Sequence, residues 1–319
     1  MRANLLFRFL LPATFALAIP QAAHAVWLCL PAQAQATAQL TRIELVTAAS
    51  GGQSGLFIQP TISINGDAAS VRQIVMVVPV SGPARDAWQS DPRSFAALAP
   101  FTRPVFYGPQ AVPVTEEQDR LGLREDHPRY GQWFFIRIPG MGNKAIGQLL
   151  EELKKLECQP PADEALARHA KADGSFVICI YRVWLEVQVP EAFTAWPVSI
   201  VAPGLLPALP LGFAGDQPAV VAYGIGVRPF RLEWLEQAGL QRTEDDKSLL
   251  PEDARNPLPA RQANRITGYA QMPAAAQIIL DEWTRSQPDM DALRTENLHL
   301  YRVYGDALKP GLAPLVVLE

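Results

Sequence analysis

The chain predicts an α+β fold: a β-rich N-terminal part, then a strand–helix–helix–strand unit and a second mixed region, built around mostly antiparallel sheet. Three observations carry that expectation. Short β-branched runs bounded by Gly, Asn, Asp and Ser crowd residues 42–80, the pattern of strands. One amphipathic helical repeat stands out at 143–156, with strand-like runs on both sides. At 319 residues and 49% hydrophobic content, the chain has the length and apolar surface for a real core and is not globally disordered.

Residues 1–36 read as a secretory signal. Arg2 and Arg8 precede an apolar run that closes on the small-x-small site Ala23-His24-Ala25, and similar sites follow at Ala32-Gln33-Ala34 and Ala34-Gln35-Ala36. Pro12 and Pro20 interrupt the run, which argues against a retained membrane anchor. A lipoprotein signal needs a small residue before its cysteine, and Leu28 precedes Cys29. Cleavage after Ala25 leaves Cys29, Cys158 and Cys179, whereas the later sites leave only Cys158 and Cys179. An even number suits an oxidising compartment, so the later sites and a Cys158–Cys179 disulfide are expected. Losing 1–36 removes two arginines and no acid, which takes the formal charge from −4 to −6. Lys154-Lys155 is flanked by Glu151, Glu152 and Glu157, so no basic cluster forms. Nucleic acid and anionic lipid are therefore not the expected partners.

Residues 37–130 form the β-rich part. Strands are expected at 42–46, 56–64 and 71–80, with Leu56, Ile58, Ile62 and Ile64 on one face of the second. The third is apolar nearly throughout and so central, while Pro60 pushes its neighbour toward an edge. From 81 to 130 the chain is a Pro-rich connector, with Thr115-Glu-Glu-Gln118 opening one short helix.

Residues 131–319 are mixed, either continuous with the first part or a separate domain. A strand at 132–138 leads to a helix at 143–156, whose stripe of Ile146, Leu149, Leu150, Leu153 and Leu156 needs a sheet to cover. A second helix near 161–171 and a strand over 175–189 follow. Val183, Leu185, Val187 and Val189 alternate on one face of that strand, and Cys179 shares their parity. A bond from Cys158 would then clamp the helix to that face. Residues 192–215 carry no charge, and Pro197, Pro203, Pro207 and Pro210 forbid a spanning helix, leaving an apolar loop that is buried or offered to a partner. Strand-like or mixed residues 218–235, a polar stretch 241–265, a helix 274–285 and strands at 299–304 and 315–318 complete the chain.

The motifs that could carry chemistry are weak. Gly140, Gly142 and Ala145 fit the letters of a dinucleotide loop, but no strand ending in an acid follows at the required distance, so they are a turn with Asn143 capping the helix. No cofactor is expected. His127, His169 and His299 have no ligand partners at helical spacing, and Glu125-Asp-His127 precedes Pro128 in what resembles a solvated turn, so no metal is expected. The G-x-S-x-G elbow is absent, and Gly52-Gln-Ser-Gly55 has the wrong spacing. Glu186 and Glu233 lie near Trp184 and Trp234 and are the acids best placed for sugar chemistry, while Asp281-Glu282-Trp283 reads as a charged outer helix face.

The expected function is that of an exported, periplasmic protein of non-enzymatic type. It binds a protein partner or apolar ligand, for instance as an accessory component of a secretion, pilus or transfer machine, and is not an integral membrane protein after signal cleavage. Trp196, Leu205, Leu206, Leu211 and Phe213 in the uncharged segment are the candidate contacts, since binding energy concentrates in large apolar side chains. The alternative is a secreted hydrolase using carboxylate or serine chemistry.

Overall fold

Ser50-Gly-Gly-Gln53 reverses the chain between its two longest strands. In the computed structural model Gly51 and Gly52 both take positive φ (58° and 72°) and Ser50 pairs with Gln53. Two such residues make the hairpin turn whose twist matches that of the strands it joins. The structure describes residues 26–80, 82–95, 98, 129–160, 166, 174–203, 218–227 and 267–300, with backbone alone at 106–107, 230–231, 241–242, 258–259, 265–266, 301–305 and 317–318.

In chain order the first strands are β1 (Trp27–Cys29), β2 (Ala36–Ser50), β3 (Gln53–Gly66), β4 (Gln73–Val80), β5 (Asp86–Gln89), β6 (Phe106–Tyr107) and β7 (Gly131–Arg137). Helix α1 (Gly142–Lys155) comes next, then β8 (Ser175–Val183), β9 (Ala192–Thr194), β10 (Val198–Pro203) and β11 (Ala219–Gly226). Short strands β12 (Phe230–Arg231), β13 (Gln241–Arg242), β14 (Leu258–Pro259) and β15 (Arg265–Gly268) precede α2 (Ala274–Ser286) and α3 (Ala292–Thr295). The last strands are β16 (Asn297–Gly305) and β17 (Val317–Leu318). The protein is thus a sheet-rich mixture of strands and helices.

Two sheets stack face to face. The smaller runs β1-β4-β8-β7, and its pairings are all antiparallel. The larger runs β13-β16-β11-β2-β3-β10-β5, with β9 also on β3 and β15 on β16. In it the β2–β11 pair is parallel. Between the sheets lies a core of Ile43, Leu45, Leu56, Ile58, Ile62 and Ile64 from one side and Ile74, Met76, Val78, Val177 and Tyr181 from the other. The outer face of the small sheet is covered by α1, whose Ala145, Leu149 and Leu153 pack on Val75, Val77, Phe176 and Ile178. The outer face of the large sheet is covered by α2 and α3, whose Ala276, Ile279, Leu280, Trp283 and Leu293 pack on Val46, Ala48, Phe57 and Ile225. The result is four layers in the order helix, sheet, sheet, helix. Among the described residues no helix is long and apolar enough to cross a membrane.

Several elements follow the sequence pattern, and several depart from it. The parity of Leu56, Ile58, Ile62 and Ile64 and the central place of β4 are as expected. Pro60 does not mark an edge: β3 is central, and Pro60 falls where its outer neighbour changes from β10 to β9. The strand expected over 175–189 stops at Val183, and Leu185 is exposed rather than inward. Leu150 lies outside the buried stripe of α1. Of the loop expected over 192–215, residues 192–194 and 198–203 are strands, with Phe193, Val198, Ile200 and Val201 buried, and 204–215 lie outside the described residues. The helices expected at 115–118 and 161–171 lie outside the described residues, apart from buried Leu166.

The Cys158–Cys179 disulfide does not form, and all three cysteines are free thiols. Successive residues of β8 point to opposite faces. Cys179 therefore joins Val177 and Tyr181 in the core between the sheets, where burial pushes its thiol up. Cys158 lies on the other face, against α1 with Trp27 and Ile180. The small sheet stands between the two sulfurs.

Glycine geometry sets two stability predictions. A Cβ on Gly55 would lie 2.7 Å from the fully buried Trp283 ring, whereas one on Gly147, in the exposed middle of α1, meets nothing within 4 Å. Gly55→Ala is expected to destabilise by about 1–3 kcal/mol and Gly147→Ala to stabilise by about 0.5–1 kcal/mol, read as opposite shifts of the urea midpoint. Helix α1 ends in a paired cap in which the Cys158 amide donates to the Leu153 carbonyl and the Glu157 amide to the Lys154 carbonyl, with Glu157 at φ 57°. Glycine is the usual residue there, so Glu157→Gly is expected to raise stability by about 0.5–1 kcal/mol in the same assay.

Candidate functional site

Beyond Val183 the chain leaves the small sheet in a turn. The Trp184 amide donates to the Tyr130 carbonyl (3.0 Å) and the Val187 amide to the Trp184 carbonyl (3.0 Å), which closes the turn on the end of β7. Arg72 reaches toward the Leu185 and Val187 carbonyls at 3.5 and 3.4 Å. Two large apolar side chains are thereby held in solvent, Trp184 at 42% and Leu185 at 86% exposure. Phe134 on β7 is 43% exposed.

Arginines organise these side chains. The Arg129 guanidinium lies over both Trp184 (5.5 Å to the ring centre) and Trp196 (4.9 Å), and Arg182 lies over Phe134 (4.8 Å). Such contacts are attractive because the ring face is electron-rich, and they restrain an otherwise flexible arginine. Beneath Arg129 and Trp196 lies the aromatic stack of the core between the sheets, whereas Phe134 and Arg182 belong to the opposite face of the small sheet. Trp133 donates its indole N–H to the Trp196 carbonyl (2.6 Å) and packs on Tyr181 at 5.0 Å, and Phe193 packs on Tyr130 and Tyr181. Burial pushes the Tyr181 phenol up to about 12. Arg72 and Arg129 contact a turn that contains one acid, Glu186, so this surface is both apolar and cationic on a chain that is acidic as a whole.

Of the sequence-derived contacts, Trp196 belongs to this patch, half-buried at its base. Leu205, Leu206, Leu211 and Phe213 lie outside the described residues, as does Glu233. Glu186 is exposed in the turn beside Leu185. Asp281-Glu282-Trp283 is not a solvated face. Trp283 is fully buried, and Glu282 Oε2 accepts from the Trp88 indole N–H (3.0 Å) and the Ser90 hydroxyl (2.7 Å), which lies 2.8 Å from the Ser199 hydroxyl. Asp281 accepts from the Tyr269 hydroxyl (2.7 Å) and pairs with Arg294 (3.3 Å). Ser90 and Ser199 are buried with their hydroxyls engaged, so this cluster clamps β5 and β10 under α2.

The glycine loop before α1 is closed to phosphate. The Gly140 amide donates to Gln148 Oε1 (2.8 Å), the Gly142 amide to the Gly174 carbonyl (2.9 Å) and the Ala145 amide to the Met141 carbonyl (3.3 Å). Gly142 has φ 56°, which explains the glycine, and the helix begins from Met141 without a side-chain cap, so Asn143 does not serve as one. Among the described residues no group of three or more His, Cys, Asp or Glu could hold a metal. His299 sits in β16 opposite Gly226 and Ile266, and His127 and His169 lie outside the described residues.

Sequence reasoning missed Arg129 and Leu185. An arginine near the end of a Pro-rich connector carries no signal of its own, and Leu185 continued an apparent alternation that hid the turn. No protein-family model, curated protein or solved structure matches this chain.

Proposed function

We propose that the protein is an exported envelope protein of non-enzymatic type that binds a protein partner through the surface formed by Arg129, Trp184, Leu185 and Trp196. The observation that carries this reading is the Arg129 guanidinium in cation–ring contact with two indoles, Trp184 and Trp196, next to a leucine that is 86% exposed. Arginine and tryptophan are the residue types that dominate binding energy at protein interfaces, and a rigid aromatic base lowers the entropy lost on docking. Leu185 has no packing role that would account for its exposure. The cationic rim favours a partner face that sets carboxylates around an apolar residue, because complementary charge steers encounter and fixes register. Export rests on the basic start, apolar run and small-x-small site of residues 1–25.

The test is cross-linked affinity capture of the mature protein from its own cell envelope, with a Trp184→Ala, Leu185→Asp double variant alongside. A stoichiometric partner recovered with the parent is expected to bind the variant at least about tenfold more weakly, while the thermal midpoint stays within roughly 2 °C because both side chains are exposed. Equal capture by a folded variant would remove this surface as the contact site.

A further inference from the structure

The segment just after Ala25 is built into the fold. Trp27, Leu28 and Cys29 pair with Val77, Met76 and Val75 along the edge of the small sheet. Val26 and Trp27 are buried, and Trp27 packs edge-on against Phe176 with ring centres 6.0 Å apart. The next residues are tied down as well: the Ala32 amide donates to the Glu157 carbonyl, the Gln35 amide to the Ser70 hydroxyl, and the Asp67 amide to the Gln35 carbonyl. Cleavage at Ala34 or Ala36 would strip the sheet of this edge.

The same segment brings two cysteines together. The cap at the end of α1, with Glu157 in the left-handed region, turns the chain so that Cys158 forms an antiparallel bridge with Pro31. Residues two apart in an extended segment share a face, which puts Cys29 on the side of Pro31 that Cys158 occupies. Both cysteines lie in the cluster between α1 and the small sheet, with Cys158 buried and Cys29 half-buried. The Cys29 thiol donates to the Val75 carbonyl (3.7 Å) and the Cys158 thiol to the Leu156 carbonyl (3.5 Å); the influence of each thiol on the other holds Cys158 below its ordinary value and, together with burial, pushes Cys29 up.

We infer that Cys29 and Cys158 form the disulfide of the mature protein, tying edge strand β1 to the end of α1, and that signal cleavage falls after Ala25 so that Cys29 is retained. Two S–H bonds break and one S–S bond forms. The two electrons and two protons pass to a disulfide oxidant, which leaves as two thiols; exchange runs through a mixed disulfide on one cysteine that the other resolves. Cys179, sealed between the sheets, takes no part. The inference rests on the export reading for the oxidising compartment and for the signal cleavage; the Cys29–Cys158 pairing itself does not depend on it.

The experiment has two arms. Full-length mature chain starting at Val26, folded and reduced, is incubated with oxidised glutathione, alkylated under denaturing conditions and mapped by mass spectrometry without reduction. The expected map links the Cys29 and Cys158 peptides and alkylates Cys179, with a thermal midpoint raised by about 5 °C or more over the reduced protein. Cys29→Ser and Cys158→Ser should each abolish that rise, and Cys179→Ala should leave it intact. Three alkylated cysteines in folded protein, or a link to Cys179, would overturn the inference. In the second arm, protein recovered from the native envelope is expected to carry the same link and to begin at Val26. A mature chain lacking Cys29 overturns the inference, whereas the link formed in vitro but absent in an intact, unprocessed native chain supports the pair and overturns export together with cleavage after Ala25.

Discussion

Every layer of this protein follows from the need to cover both faces of β4 and β8. These strands carry buried side chains at nearly every position, so the sheet they share cannot present either face to water. One face is covered by the large sheet and the other by α1. The large sheet then has an outer face of its own, rich in Val46, Phe57 and Ile225, and α2 with α3 covers it. Four layers are the smallest arrangement that leaves no apolar sheet face in solvent, and burial of this kind dominates the free energy of folding.

That constraint also decides where polar chemistry can sit. A strand buried on both faces sends neighbouring residues into different cores, so Cys179 and the α1-facing side chains beside it never meet. At the seam under α2 polar partners do converge: Glu282 accepts from Trp88 and Ser90 and so joins α2 to the sheet edge beneath it. The remaining places for recognition are where strands end. The turn after β8 is such a place: its Trp184 and Val187 amides are satisfied by Tyr130 and by the turn itself, and Trp184 and Leu185 are left exposed.

Much of this architecture was legible from local pattern. The period-2 spacing of Leu56 to Ile64 named its buried face correctly, and the amphipathic repeat located α1 to within one residue at each end. What failed has physical causes. Alternation from Val183 to Val189 looks like one strand because a period-2 run does not say where its pairing partner stops; the partner, β7, begins at Gly131, which pairs with Val183. The parity of Cys179 was readable, but which core that face belonged to was not, since a doubly buried strand has no polar side to mark the outside. Pro197 and Pro203 argued against a helix, yet proline at a strand boundary is compatible with sheet, and both stand at the ends of β10. The contact of Arg129 with Trp184 and Trp196 joins three distant segments and has no signature in any of them.

The patch around Arg129 can be set against the alternative that its aromatics merely close the core. Trp133, Tyr181 and Phe193 do close it: they are buried and packed on one another. Trp184 and Leu185 stand outside that stack, and removing them would open no cavity in it. A core has no use for a leucine held almost wholly in water, and a turn tied by two backbone hydrogen bonds needs no indole to fold. The exposure is therefore supported by the fold without being required by it. That distinction is what the proposed partner surface rests on.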